Sequence, residues 1–450
     1  MQPLRVGLVV LLVAGGALPA AAHAGAPGWS TPHTASVVPV GLYAAGPNGQ
    51  GVQLFAGSGA TQARVAQMRA IKSDATQGSA VTVDAGGQPG VGLTAVDVNP
   101  SGHLVTAWSL DAQQQGPIGL AAALGARTAL PRTAAVLPSS GGVTALADAV
   151  APDGTGTVAW AEFSPAVVKI ATLRNGAAPQ VVTFAAATTD AAIANVSVGI
   201  DGSARPVVTW TATPTVLGSP TGTTTLEVTR GDAGDGTFPA PTAVPLSTAN
   251  VARADAVVQA GGGLTVVWSE GVLPGALTVR AADLAAGGTA LTTPRLLTTL
   301  PSGIAPSVAG SLNGRLAVFF LQGTGGKAGG TPGLILRSSA GTWGRQRDIG
   351  PASRRAVRAL NAGVDASGRV VILWDDGTAG GSPTRILAAR SSSSSDPPGT
   401  YHQLPQRSGD RSCAAPVLTL STSGDGLGSW QCRTATASNQ PRLARLTAAS

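Results

Sequence analysis

Glutamate and lysine are nearly missing from this chain, with three of each in 450 residues. Helix-rich proteins place Glu, Lys and Gln on their exposed faces, so this scarcity excludes a mainly helical fold. Tyrosine occurs twice, at Tyr43 and Tyr401, and the histidines beyond residue 24 are His33, His103 and His402. No two His, or His and Cys, stand at zinc-ligand spacing, and no Gly-x-Ser-x-Gly elbow surrounds a serine. There is no Cys-x-x-Cys. After the first 24 residues no apolar run reaches the ~18 residues a spanning helix needs.

What is present points to short strands and tight turns. The chain holds 61 Gly and 32 Pro and is rich in Thr and Val, the composition of an all-β protein. At the N-terminus, Arg5, the apolar run 6–18 and the small-residue stretch up to Ala24 predict a secretory signal peptide spanning residues 1–24. Residues 25–450 are then expected to form one extracytoplasmic domain, secreted or envelope-associated and monomeric. Cys413 and Cys432 suit that oxidising compartment. They lie symmetrically about the turn at Ser421–Gly424, which predicts a disulfide across one hairpin.

A hairpin recurs eight times as an alternating strand, a turn ending in Gly, an apolar strand and an aromatic. The aromatics are Phe55, Trp108, Trp160, Trp210, Trp268, Phe320, Trp374 and Trp430, about 50 to 58 residues apart. Seven of the eight place the aromatic six residues after the turn glycine, whereas two extra residues separate Gly202 from Trp210. A third strand usually ends in a basic residue, as at Arg69, Arg174, Arg230, Arg280, Arg337 and Arg390. A fourth often opens with Gly-Thr-aromatic, from Gly236, Gly341 and Gly399. Four antiparallel strands per ~50-residue unit is the pattern of a β-propeller blade. The last repeat stops after its third strand, and the segment 28–39 resembles a fourth strand. The expectation is an eight-bladed β-propeller whose N-terminal strand completes the last blade, with a seven-bladed ring as the alternative.

The pattern D-x-x-G followed by an apolar strand and Trp, the strand ending in Arg, and Gly-Thr-aromatic together resemble the secreted bacterial propellers of the sialidase-like, BNR-repeat group. "SSAGTW" (Ser338–Trp343) and "SSSDPPGTY" (Ser393–Tyr401) are degenerate forms of that group's Asp-box. The resemblance implies a propeller fold. The group's catalytic set needs an arginine triad, a Tyr nucleophile with a Glu partner, and an acid. With two Tyr and the glutamates Glu162, Glu227 and Glu270, this chain lacks the means to assemble it, so the preferred reading is non-catalytic. The alternative is a divergent glycan-active hydrolase of sialidase-like fold.

Candidate site residues follow from what the repeat leaves unexplained. In "VDASGRVVILWDDG", Asp365 and Gly368 are turn residues and Trp374 is the blade aromatic. Asp375 and Asp376 then start a variable loop on the face where the second-to-third-strand loops meet the blade connections. Glu270 holds a comparable place. The third-strand arginines are expected to stack on aromatics or pair with second-strand acids such as Glu162, Glu270 or Asp376. From Arg337 onward there are 14 Arg and 7 Asp with no Lys or Glu, so the whole net charge of +7 falls on this stretch. A one-sided basic sector attracts polyanions, such as an acidic polysaccharide or another envelope component, and Arg354, Arg355 and Arg358 are the candidates. Nucleic acid is not an expected partner of an exported chain. No cofactor is expected, although "GDAGDG" (Gly231–Gly236) makes Asp232 and Asp235 a weak Ca²⁺ candidate that otherwise reads as a turn.

Overall fold

The computed structural model describes residues 29–447 except 35–41, 59–63, 89, 113–115, 140, 164, 186–190, 217–218, 233–234, 248–249, 273–274, 301–305, 323–330, 350–356, 358, 378–382, 392–397, 400, 422 and 437–439. Residues 1–24, where a signal peptide is expected, and Arg354, Arg355 and Arg358 therefore lie outside the described residues.

Eight antiparallel sheets follow one another along the chain, each a meander of four principal strands ordered from the inside outward. Blades 1 to 7 span residues 42–82, 94–137, 142–185, 191–247, 251–300, 307–348 and 360–403. Blade 8 contains Ser412–Leu420, Gly426–Arg433 and Gln440–Leu446, and its fourth strand is His33–Thr34 from the other end of the chain. Each innermost strand touches that of the next blade all the way round, including Leu42–Ala45 of blade 1 against Ser412–Leu420 of blade 8. The protein is an eight-bladed β-propeller, closed by its N-terminal strand.

The hairpins joining first and second strands share one backbone feature, to which blade 1 adds a second left-handed residue, Asn48 at φ 60°. A three-residue loop ends on a residue in the left-handed region, followed by the second strand. That residue is Gly49, Gly102, Gly154, Gly262, Gly314, Gly368 or Gly424 in seven blades, with φ between 64° and 89°, and Ala204 in blade 4, at φ 62°. Blade 4 is thus not an exception. Trp210 sits six residues after the left-handed position, as elsewhere, and Gly202 is the glycine out of register. A Cβ there carries a conformational cost of roughly 1–2 kcal/mol.

The core consists of eight apolar clusters, one at each seam between neighbouring blades. Each blade faces a neighbour on both sides, so second strands such as Gly156–Phe163 and Val370–Gly377 are buried along nearly their whole length. The eight repeated aromatics are all at least 97% buried. The Gly-Thr-aromatic segments lead into the fourth strands rather than opening them. Phe238 and Trp343 are buried plugs, and the strands proper begin at Thr242 and Arg347.

Candidate functional site

In each blade the first strand runs from one face of the ring to the other and the second returns. The turns described above therefore share one face, the turn face. The second-to-third-strand loops and the blade-to-blade connections share the opposite face, the loop face.

Asp375 and Asp376 extend the second strand of blade 7 instead of starting a loop, and both are buried. Asp375 Oδ1 accepts the Ala359 N–H at 2.9 Å, while Asp375 N–H donates to Ala359 O at 3.2 Å. Ser109 of blade 2 does the same for Leu93, its Oγ accepting the Leu93 N–H at 2.8 Å. Asp375 thus secures the residue preceding an innermost strand, a task with a counterpart elsewhere in the ring. Asp376 lies opposite Arg385 on the third strand and pairs with it at 2.7 Å.

Asp376 also has counterparts two residues beyond the blade aromatic. Glu162 accepts Trp160 Nε1–H at 2.7 Å and pairs with Lys169 at 3.0 Å. Glu270 accepts Trp268 Nε1–H at 2.9 Å and pairs with Arg280 at 3.0 Å. Burial would raise the Glu270 carboxyl, but hydrogen bonds from Trp268, Arg280 and Ser247 and the Arg280 charge outweigh it and hold it below the ordinary range. Glu270 and the aspartate pair stand two blades apart, each tied to groups of its own surroundings.

The third-strand arginines all have partners, though mostly not those the sequence suggested. Arg69 lies over the Phe55 ring at 5.1 Å and Arg280 pairs with Glu270. Of the other four, three reach forward to the next blade and Arg337 reaches back to blade 5. Arg174 donates to Asp235 O, Arg230 to Gly262 O and Arg390 to Thr447 O, and Arg337 pairs with Asp283 at 2.8 Å. These arginines tie blades together.

The channel wall carries groups that sequence reasoning missed. Asp97 and Asp148 lie on the innermost strands of blades 2 and 3 and meet at their seam. Asp97 Oδ2 accepts the Val150 N–H at 2.9 Å, whereas Asp148 Oδ2 is closed off from solvent without a hydrogen-bond partner. Burial, and after it the Asp97 charge, push the Asp148 carboxyl well above the usual range; burial also raises Asp97. The signal in the sequence was an Asp inside an apolar strand of two consecutive repeats. Farther round, a cavity of about 350 Å³ opens between the innermost strands of blades 5 to 7, lined by Arg253, Ser307 and Asn361 among apolar side chains. Arg253 is held by Asp255 through two contacts, at 2.9 and 3.1 Å. Tyr43 is buried in blade 1, its hydroxyl accepting from Gln53 and its pKa pushed up to about 12 by burial against the pull of Arg69.

Asp235 accepts both the N–H and the hydroxyl of Thr237, at 2.8 and 2.7 Å, and these bonds hold its carboxyl below the usual range. This is turn chemistry. Asp410, Cys413 and Cys432 cluster closely, but the two cysteines are joined as a disulfide, with Cα atoms 4.1 Å apart, and offer no thiolate to a metal.

Among its described residues, the basic stretch separates into arginines that meet an aspartate and arginines without a described ion pair. Arg337, Arg369, Arg385, Arg442 and Arg445 each meet an aspartate. On the loop face of blade 8, Arg407, Arg411 and Arg433 are exposed. Arg411 N–H donates to Arg433 O at 2.8 Å, which sets the two residues side by side. Arg407 reaches Thr34 of the closing strand, and the nearby Asp410 is occupied by Arg442.

No family model and no curated protein matches the sequence. Among solved structures the chain is similar to an α-L-arabinofuranosidase from Fusarium graminearum, at 12% identity and TM-score 0.41, covering 67% of this chain and 92% of that one. It is similar to polysaccharide lyase Uly1 at 8% identity and TM-score 0.42, covering 78% and 88%. A Hadza microbial sialidase matches at 12% and 0.38, covering 72% and 73%. The likeness is one of fold and carries over no residue's role.

Proposed function

We propose that the chain is an extracytoplasmic propeller that binds an acidic polysaccharide or comparable polyanion without catalysis, of the sialidase-like, BNR-repeat kind in its ancestry. The observation that carries this reading is the group Arg407, Arg411 and Arg433. Three exposed guanidiniums gather on one rim while the neighbouring aspartate is already neutralised by Arg442. Arg354, Arg355 and Arg358, which lie between blades 6 and 7 in sequence and outside the described residues, are proposed to contribute to the same binding. A disulfide and the lack of any membrane-crossing helix among the described residues accord with an extracytoplasmic setting.

The described acids named from the sequence favour binding over hydrolysis, because Glu270, Asp375 and Asp376 are each engaged within the fold and Glu270 stands two blades from the aspartate pair. The test is retention on heparin-agarose at physiological salt. Retention is expected for the wild type and lost in R407A/R411A/R433A, with a smaller loss in R354A/R355A/R358A. Flow-through of the wild type overturns the reading. Release of reducing ends from a glycan, abolished in D148N, would replace it with the hydrolase.

A further inference from the structure

Five of the nine large apolar side chains exposed on the described surface belong to the loop face, and they run through consecutive blades. Leu42 and Leu93 precede or open the innermost strands of blades 1 and 2. Phe163, Val216 and Val272 stand at or just beyond the ends of the second strands of blades 3, 4 and 5, and are 65%, 58% and 64% exposed. Only Leu312 occupies a first-to-second-strand turn, on the turn face.

The loops carrying these tips, 164–166, 217–223 and 271–276, contain no charged residue. Val216 is also presented by a local scaffold. The second strand of blade 4 runs on past its sheet and pairs with Ser219–Pro220, so the tip projects on paired backbone. In a ring of eight, blade 4 lies opposite blade 8. One face thus carries apolar tips on the uncharged loops of blades 3 to 5 and an arginine cluster across the channel. The nearby charges of blade 5 are held in the pairs Arg280–Glu270 and Arg253–Asp255.

We infer that this face docks on an anionic lipid bilayer, the apolar tips entering the acyl boundary while Arg407, Arg411 and Arg433 meet the headgroups. Two arguments select this occupant. Water-exposed Phe and Val at the tips of three successive uncharged loops belong to no core cluster among the described residues, yet their burial in an acyl layer is favourable. The arginines on the same face complement a surface of negative charge, and the two contributions add in interfacial binding. The apolar arc is independent of the polyanion reading, which supplies only the arginine half.

The test uses the mature chain and sedimentation with phosphatidylcholine vesicles, with or without about one third phosphatidylglycerol, a composition that gives a negative surface. The wild type is expected to co-sediment with the anionic vesicles and remain in the supernatant with the neutral ones. F163S/V216S/V272S should lower the partition at least ~tenfold while its retention on heparin stays unchanged. R407A/R411A/R433A should lose both.

In a second measurement, F163W with bromine-labelled acyl chains should show quenching above that of the wild type, whose eight tryptophans are buried apart from the half-buried Trp29. A wild type that stays in the supernatant with anionic vesicles overturns the inference. So does an apolar variant that sediments like the wild type, a result that leaves polyanion binding standing. A dimer in sedimentation velocity that the apolar variant dissolves would assign the arc to a second copy and overturn lipid docking.

Discussion

Trp374 differs from its counterparts at a single atom. Trp160 and Trp268 give their indole N–H to a glutamate two residues on, but Trp374 Nε1 is buried without a hydrogen-bond partner and its ring meets Tyr401 edge-on at 5.9 Å. The acid in that place is Asp376, one methylene shorter and committed to Arg385. Asp376→Glu should let one carboxylate serve both groups and stabilise the fold by about 1 kcal/mol, read as a higher midpoint in urea. A fall would show that the pocket rejects the extra methylene. Asp148 makes the opposite kind of prediction. Its folded pKa is raised, so its favourable contribution is complete below the unfolded carboxylate value and is lost as pH rises through the folded one. Asp148→Asn should therefore raise the melting temperature at pH 7–8 more than at pH 4, and equal shifts at both would refute the assignment. The repeat marked Trp374 as a core aromatic and the sequence offered Asp376 to an arginine, but neither the unmet indole N–H nor the contact of Asp148 with Asp97 was legible. An acid at aromatic-plus-two recurs in only three blades, and a seam contact joins residues 51 positions apart.

Blades were legible as elements because two local constraints recur together, a left-handed turn residue and a core aromatic at fixed spacing. Ala204 broke the first constraint in the sequence but not in the backbone, which is why blade 4 looked longer than it is. The expected partners hold for Arg69 and Arg280, whereas the destinations of Arg174, Arg230 and Arg390 were not legible, because they depend on which carbonyl the next blade presents. The hairpin of blade 8 was read correctly from symmetry alone. Cys413 and Cys432 are direct cross-strand partners 19 residues apart, at the loop-face end of the hairpin. Replacing both by serine should cost about 3 kcal/mol on the loop-entropy scale. The change should be greatest for hydrogen exchange in Ser412–Leu420 and small in blades 2 to 4; uniform loosening of all blades would contradict a local staple.

At the scale of the whole ring, closure is the point of least apolar support among the described residues. There the seam between blades 8 and 1 has the smallest core cluster, six residues: Tyr43, Ala45, Ile71, Ala75, Leu427 and Leu443. Polar links supplement it. Asp425 accepts the Asn48 N–H at 3.0 Å and Arg445 donates to Ser73 O at 2.7 Å. Deleting residues 29–34 removes the fourth strand of blade 8 together with Trp29, which packs on the seam between blades 7 and 8. The deletion should expose an unpaired sheet edge. Limited proteolysis should then cut first within blade 8, and cuts beginning in blades 3 to 5 would place the weak point elsewhere.

The pairing of His33 with Leu443 also sets a timetable. Blades 1 to 7 can each complete their sheets from contiguous chain as it emerges, but the strand synthesised before all of them stays unmatched until residues beyond 440 arrive. Contacts of such long sequence separation form slowly. Completion of the last sheet is therefore a late step that reports on the entire chain, and a product truncated within blade 8 carries an orphaned strand at one end and a raw edge at the other, marks by which quality control can distinguish it from the finished ring.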